Sequence, residues 1–188
     1  MHDLKEKIMT EGKVYRDMLK VDSFLNHQID VELFNTMGKE FHHRFAAKNI
    51  TKILTIEVSG IAIACMTAQY FHVPVVYAKK MQAANLDADT YQSRVDSFTK
   101  GIDYTIRVDK QYLHQIDRIL IIDDFLSKGN AVLGLKEIID QAGAELMGVG
   151  IVIEKEFLGG GQILREQGID VQSLAAVRSM EGGKIIFA

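Results

Sequence analysis

A buried strand that runs directly into two carboxylates is the feature that most restricts the fold of this chain. Four aliphatic residues, 119–122, precede Asp123 and Asp124, and a loop with a single glycine follows. The apolar spacing then changes to every third or fourth position between Val132 and Ile139. A continuous aliphatic run predicts a strand of a parallel sheet, and the change of period predicts a strand, a loop and a helix in succession.

The place of the acidic pair predicts a ligand site. In open α/β sheets, ligands bind in the crevice beyond the carboxyl ends of the strands. Backbone N–H groups of the following loop and of the helix N-terminus suit a phosphate. Asp123 and Asp124 beside such a loop therefore predict a sugar phosphate. Adjacent acids are common, however, and the pair is also compatible with a polar strand end that caps the next helix.

The remaining pattern predicts one α/β domain over residues 1–188. Strands that alternate with helices indicate a mostly parallel sheet flanked by helices, and a hydrophobic content of 47% is sufficient for a normal core. Residues 79–105 form a long polar excursion with a possible hairpin of 91–98 and 103–109. The predicted helices are 3–11, 31–47 with Asp30 as its N-cap, 61–71, 132–141 and a short one ending near 167; the predicted strands are 53–56, 73–78, 118–123, 146–154, 171–177 and 184–187.

Composition excludes several classes of function. The net charge of −3 gives no general basic surface, so nucleic-acid binding is not expected. The single cysteine, Cys65, excludes an internal disulfide framework and a multi-cysteine metal site, and its small apolar neighbours predict a buried position. The sequence contains neither a run long enough to span a membrane nor an apolar segment after its charged start, which predicts a cytoplasmic protein without a membrane partner.

Residues 119–131 resemble the motif that binds 5-phosphoribosyl 1-pyrophosphate (PRPP) in type I phosphoribosyltransferases, where hydrophobic residues precede two acids and a short glycine-containing loop. The resemblance covers nearly the whole chain and includes residues 20–30, 55–62, 97–100 and 151–155. The first and last of these segments resemble the xanthine-using branch. This similarity implies the type I phosphoribosyltransferase fold, a mostly parallel central sheet flanked by helices with a small hood from the chain termini. It also implies a homodimer.

The resemblance assigns the residues that contact PRPP. It implies that Asp123 and Asp124 bind the ribose hydroxyls and, directly or through water, Mg²⁺ carried as a complex with PRPP or pyrophosphate. The family commonly has Thr or Asn at position 128, so the lysine there either adds charge to the phosphate site or points to solvent. The PRPP-binding set implied by the family is Ser127, Lys128, Gly129, Asn130 and Ala131 for the 5-phosphate, and Glu57, Ser59, Gly60 and Lys79 or Lys80 for pyrophosphate.

The family also implies where the base and the lid lie. Leu19, Asn26 and Lys155 correspond to the xanthine-binding residues, and Phe24 or Phe157 is expected to stack on the purine. Residues 90–105 resemble a loop that closes over the reaction centre, in which Lys100 would balance the charge of the departing pyrophosphate.

The reaction implied is transfer of the phosphoribosyl group from PRPP to N9 of xanthine, which gives XMP and pyrophosphate. Two alternatives remain at this point. One is the same reaction on guanine or hypoxanthine, although those relatives have an aspartate at the position of Ser127. The other is a non-catalytic PRPP-sensing regulator, but such regulators carry an additional DNA-binding domain for which this chain has no room.

Overall fold

The computed structural model describes residues 1–15, 18–81, 89–95 and 104–188. The helices found in them are α1 (His2–Glu11), α2 (Val31–Phe45), α3 (Gly60–Phe71), α4 (Asn130–Ala142) and α5 (Gly160–Glu166). The strands are β1 (Lys13–Tyr15), β2 (Met18–Lys20), β3 (Lys52–Ile56), β4 (Val75–Met81), β5 (Thr90–Val95), β6 (Tyr104–Asp109), β7 (Arg118–Leu126), β8 (Glu145–Lys155), β9 (Val171–Ser179) and β10 (Ile186–Phe187).

One sheet of eight strands organises the molecule, in the order β10-β9-β8-β7-β3-β4-β6-β5. The five strands from β9 to β4 are parallel, whereas β10 and the β5–β6 hairpin add antiparallel strands at the two edges. The predicted mostly parallel sheet is therefore confirmed. Because β3, β4, β7 and β8 run in the same direction, the segments that follow them emerge at one edge of the sheet.

Helices cover both faces of this sheet through two apolar clusters. The stripe predicted on α2 is confirmed, because Leu33, Met37, Phe41 and Phe45 are all buried in the cluster beneath α1, α2 and α3. Asp30 caps α2 as predicted, since its side chain accepts a hydrogen bond from the Leu33 N–H at 3.0 Å. The second cluster lies beneath α4 and α5.

The two chain termini meet above β9 and form the hood. The amino group of Met1 donates to the carbonyl of Leu174 at 2.6 Å. The ammonium of Lys5 lies 5.1 Å from the centre of the Phe187 ring and donates to Ala188 O at 3.3 Å. The sequence pattern left residues 13–30 unassigned; the described part of this segment contributes the antiparallel pair β1 and β2 and a π-helical turn at Asp22–Asn26.

The predicted end of β7 and the predicted burial of Cys65 were wrong. The strand predicted to end at Asp123 continues to Leu126, because Phe125 and Leu126 pair with Ile153 and Glu154 of β8. Cys65 is exposed rather than buried, because α3 turns its neighbours Ile63, Ala64, Thr67 and Ala68 toward the core. No helix in the described parts of the chain has the length and apolar composition needed to cross a membrane.

Candidate active site

Asp123 and Asp124 lie near the carboxyl end of β7, and both are buried, with exposed fractions of 4% and 8%. The backbone N–H of Asp124 donates to the Asp123 carboxylate at 3.0 Å. Gly60, at the start of α3, packs against Asp123: a Cβ added there would collide with the Thr55 hydroxyl and stand 3.0 Å from Asp123 Oδ1. The absence of a side chain at Gly60 thus brings the loop after β3 against the acid.

The surroundings of Asp123 favour its neutral form. Burial raises the pKa of its carboxyl well above the ordinary value, the charge of Asp124 raises the pKa further, and the charge of Lys80 opposes both. The Thr55 hydroxyl beside it is buried and has no hydrogen-bond partner among the described residues. Two buried carboxylates and a hydroxyl are the hard oxygen donors that suit Mg²⁺, which commonly takes one or two carboxylates together with substrate phosphates and water.

The predicted phosphate loop connects β7 to α4. Gly129 has φ of +88° and precedes the first residue of α4, and its carbonyl accepts from the Leu133 N–H. A positive φ is costly for residues with a side chain, so the expected special geometry of Gly129 is present. Ser127 is partly buried and its carbonyl accepts a hydrogen bond from α5, whereas Lys128 is exposed. Asn130 and Ala131 open α4.

The segment predicted to bind pyrophosphate connects β3 to α3. The Glu57–Val58 peptide bond is cis. The Glu57 carboxylate accepts the backbone N–H of Lys80 at 2.6 Å, which ties this loop to the end of β4. Ser59 precedes α3, and its side chain makes no capping hydrogen bond to the helix. Two segments that the sequence suggested separately, the loop and the lysine pair, are therefore joined directly.

The two lysines of β4 have different surroundings, as expected for consecutive residues of a strand. The Lys80 ammonium lies 5.3 Å from the centre of the Tyr104 ring, and its charge reaches Asp123. Lys79 instead lines a concavity of about 450 Å³ together with Tyr77 and Arg107. Lys80 is therefore the lysine of the pair whose charge lowers the pKa of Asp123.

The residues predicted for the base lie in β2, in the π-helical turn and at the end of β8. Lys155 ends β8, is buried, and its ammonium stands 5.7 Å from the centre of the Phe125 ring. Phe125 packs against the apolar cluster that contains Leu19. Asn26 is exposed at the end of its π-helical turn. Phe125, a residue that the sequence pattern did not select, therefore connects Lys155 with the cluster that contains Leu19.

The predicted stacking residues differ in their exposure, and the predicted lid residues 97–100 are not described by the structure. Phe24 is fully buried in the core, so its ring is not accessible to a base, whereas Phe157 is 43% exposed. Lys100, with Ser97, Phe98 and Thr99, lies outside the described residues. Phe125 follows the two acids immediately, and it would have been selected had the strand been predicted to continue beyond Asp123.

No family model matches the chain. Curated relatives match it over its full length. The xanthine phosphoribosyltransferase of Ruminiclostridium cellulolyticum is 62% identical over 188 residues, covering 100% of this chain and 99% of that protein. The enzyme of the same name from Clostridium novyi is 57% identical, with the same coverage.

Solved structures share the fold. Adenine phosphoribosyltransferase from Rhodothermus marinus superposes with a TM-score of 0.76 at 21% identity, covering 94% of this chain and 100% of that one. The Trypanosoma brucei adenine enzyme, solved with AMP, pyrophosphate and ribose 5-phosphate, also gives 0.76 at 21% identity, covering 92% and 79%. These likenesses establish the type I phosphoribosyltransferase fold. With full-length relatives above half identity, the chain belongs to the xanthine phosphoribosyltransferase family.

Proposed function

We propose that this protein transfers the 5-phosphoribosyl group of PRPP to N9 of xanthine and releases XMP and pyrophosphate, a reaction of purine salvage. The observation that carries the proposal is the position of Asp123. It lies beside Gly60, the first residue of α3, on one side, and its own strand leads into the loop around Gly129 on the other. A substrate with an anionic group at each end and hydroxyls between them fits this order of groups.

In the proposed complex, the backbone N–H groups from Ser127 to Ala131 hold the 5-phosphate, helped by the dipole of α4. The loop from Glu57 to Gly60 and the ammonium of Lys80 hold pyrophosphate. Asp123 and Asp124 accept hydrogen bonds from the ribose hydroxyls. The substrate is thereby fixed at three points, which orients its C1 toward the base.

The transfer forms the bond between N9 and C1 as the bond between C1 and the pyrophosphate oxygen breaks. Positive charge develops on the ribosyl group, and the carboxylates of Asp123 and Asp124 stabilise it electrostatically. Mg²⁺, bound with PRPP and held by the same carboxylates, would neutralise charge on the leaving group. Lys80, and Lys100 from the segment outside the described residues, add positive charge for the departing pyrophosphate.

The base would be held by hydrogen-bond donors and by an aromatic ring that stacks on it. Xanthine carries two oxo groups, so it needs hydrogen-bond donors, whereas the 2-amino group of guanine needs an acceptor. The Lys155 ammonium and the Asn26 amide are such donors, and Leu19 lies in the apolar cluster next to them. We include Phe125 as the stacking partner because its ring lies beside the Lys155 ammonium and packs against the cluster that contains Leu19.

We also propose the partners and the cellular location of the protein. The enzyme acts on two small molecules, forms a homodimer and works in the cytoplasm, without a nucleic-acid or membrane partner. Exposed aromatic residues beside the Lys79 concavity, Tyr77 and Tyr112, support a contact with a second copy. Analytical ultracentrifugation would test this part, and a monomer at enzymatic concentrations would contradict it.

The decisive experiment is an incubation with PRPP, Mg²⁺ and each of xanthine, guanine, hypoxanthine and adenine, with the nucleotide identified by mass spectrometry. We expect XMP to form with the highest kcat/KM. Faster formation of GMP or IMP would show that the assignment of xanthine as the base is wrong, while phosphoribosyl transfer would remain the reaction. Binding of PRPP without any nucleotide product would instead favour a PRPP-sensing regulator.

A further inference from the structure

Helix α5 contacts the backbone of the phosphate loop, although nothing in the proposed reaction requires this helix. The N–H of Gly160, the first residue of α5, donates to Ser127 O at 3.1 Å. A Cβ added to Gly160 would stand 2.5 Å from Lys128 C, 2.6 Å from Gly129 N, and closer still to Ser127 O. Glycine is therefore the residue that allows this backbone-to-backbone approach.

The hydrogen bond from Gly160 determines the direction of one amide in the loop. The peptide between Ser127 and Lys128 is planar and trans, so its C=O and N–H point in opposite directions. Because the Ser127 carbonyl points at α5, the Lys128 N–H points away from α5. Leu164 of α5 is fully buried and lies against Gly129, 3.6 Å from where a Cβ would be, so the helix also closes that side of the loop. A phosphate can reach the loop amides from the opposite side.

An ion pair holds α5 in this place. Glu154 is only 2% exposed, and it accepts hydrogen bonds from both terminal nitrogens of Arg165 at 2.9 and 2.7 Å, and from the Ser173 hydroxyl. Its carboxylate occupies the space beside Gly161 where a Cβ would otherwise stand. Arg165 and Ser173 hold the pKa of Glu154 below its ordinary value against the effect of burial, so the pair is ionised at neutral pH.

We propose that Gly160 and the Glu154–Arg165 pair are positioning residues, which make α5 a support that keeps the Ser127–Gly129 turn in its phosphate-accepting shape. The inference rests on the proposed function, because it takes this turn as the 5-phosphate site. Glu154 directly precedes Lys155 in β8. Helix α5 therefore also fixes the position of the phosphate loop relative to the end of β8, where the base is proposed to bind. None of these three residues needs to touch a substrate to act in this way.

The test measures binding of two fragments rather than turnover. Ribose 5-phosphate reports on the phosphate loop, and pyrophosphate with Mg²⁺ reports on the loop from Glu57 to Gly60. We expect Gly160→Ala to raise the Kd for ribose 5-phosphate by about tenfold or more, as for loss of an oriented hydrogen bond to a charged group, and to leave the Kd for pyrophosphate within about twofold. Both constants are measured by calorimetry on the intact protein.

Gly38→Ala is the matched control, because a Cβ at Gly38 in α2 would stand 2.5 Å from Met66 O of α3, a comparable backbone collision away from the phosphate loop. It should lower the melting temperature without selectively weakening ribose 5-phosphate. If Gly160→Ala does not fold, Arg165→Met carries the same test, since it loosens α5 without a collision and should raise the Kd for ribose 5-phosphate about threefold or more.

A folded Gly160→Ala or Arg165→Met protein that binds ribose 5-phosphate as the parent does would overturn the proposal, and so would equal weakening of both fragments. Failure of the proposed function is distinguishable, because it would appear in the parent. If the parent binds ribose 5-phosphate but forms no XMP from PRPP and xanthine, the proposed role of α5 would stand and the assigned reaction would be wrong. A parent that does not bind ribose 5-phosphate would refute both.

Discussion

Asp123 accepts a hydrogen bond from the backbone N–H of Asp124, the next residue of its own strand, at 3.0 Å. The bond turns one carboxylate toward its neighbour and keeps two acids together in a nearly solvent-free position. Such a pair is costly to ionise in the unliganded protein, and the cost is recovered when a cation or ribose hydroxyls arrive. Stability and activity should therefore respond in opposite directions to removal of the charge.

We expect Asp123→Asn to raise the unfolding free energy at pH 8 by about 1–3 kcal/mol while it abolishes most of the turnover. The pKa of Asp123 is raised in the folded state, so the folded protein keeps a proton that the unfolded chain releases. The parent consequently loses stability as pH rises from about 3.8 toward the raised pKa, whereas asparagine does not titrate. The advantage of the variant should shrink as the pH is lowered, as measured by thermal unfolding between pH 4 and 8.

Asp117 is a control for which the pH dependence of stability should have the opposite sign. It is buried against Lys52 at 2.7 Å, and although burial raises its pKa, hydrogen bonds from Lys52 and the His114 N–H bring the pKa below its ordinary value. Asp117→Asn should therefore destabilise the protein above about pH 4, by about 1–3 kcal/mol, and this loss should fade in acid. Parallel pH trends for the two variants would contradict the account of Asp123.

Gly129→Ala should weaken the use of PRPP more than the use of the purine. The alanine must adopt φ near +88°, at a cost of about 1–2 kcal/mol, or shift the phosphate loop. We expect KM for PRPP to rise about tenfold and KM for xanthine to change little. Gly168→Ala is the comparison, since Gly168 has φ of +80° and open space around it; a similar rise in its KM for PRPP would indicate general strain.

Gly60→Ala should destabilise the protein through one identifiable collision. The added methyl group meets the Thr55 hydroxyl and Asp123 Oδ1, which should cost about 1–3 kcal/mol. Thr55→Ala removes one of these contacts, so the double variant should be more stable than the sum of the single changes predicts, by about 1 kcal/mol. Urea denaturation of all four proteins measures this coupling, and strictly additive effects would show that the methyl group collides elsewhere.

The two lysines of β4 should not be equivalent. Lys80→Ala should lower kcat/KM for PRPP about tenfold or more, because Lys80 is the member of the pair whose charge reaches Asp123. Lys79→Ala should change it less than about threefold, since Lys79 lines the concavity with Arg107 instead. A larger effect for Lys79 in steady-state assays would reverse this assignment.

Lys155→Met should reduce the preference for xanthine and leave PRPP binding largely intact. The methionine keeps the apolar stem beside Phe125 but removes the charged donor, so xanthine should lose about tenfold or more relative to hypoxanthine in kcat/KM. Asn26→Ala should narrow the preference for xanthine over guanine. Lys39→Met on the exposed side of α2 serves as the charge-matched control; unchanged ratios in both site variants would remove these residues from the base pocket.

Local patterns were sufficient to predict the parts of the molecule that depend on local interactions. The four-residue spacing of Leu33, Met37, Phe41 and Phe45 identified the buried side of α2, and Asp30 was recognised as its cap. The need for an unusual backbone at Gly129 also followed from the sequence of the loop. These features require only neighbouring residues and the general burial of apolar side chains.

Features that depend on partners distant in the chain were missed. β7 extends to Leu126 because β8 supplies hydrogen-bonding partners there, and no pattern within residues 119–126 reveals that pairing. The burial of Glu154 depends on where α5 docks, because its partner Arg165 belongs to that helix, 11 residues later in the chain. Strand alternation predicts that Lys79 and Lys80 point in opposite directions. Which of the two lies on the side of the acids depends on the order of the strands in the sheet, which the sequence pattern does not give.

The exposed position of Cys65 has a practical consequence. It is the single thiol of the chain, and it lies on the outer surface of α3, five residues or about 7.5 Å along the helix axis from Gly60. A fluorophore or spin label attached there needs no prior cysteine removal and lies close to the loop proposed for pyrophosphate. One covalent modification would thus turn the unaltered protein into an optical or magnetic reporter of product release.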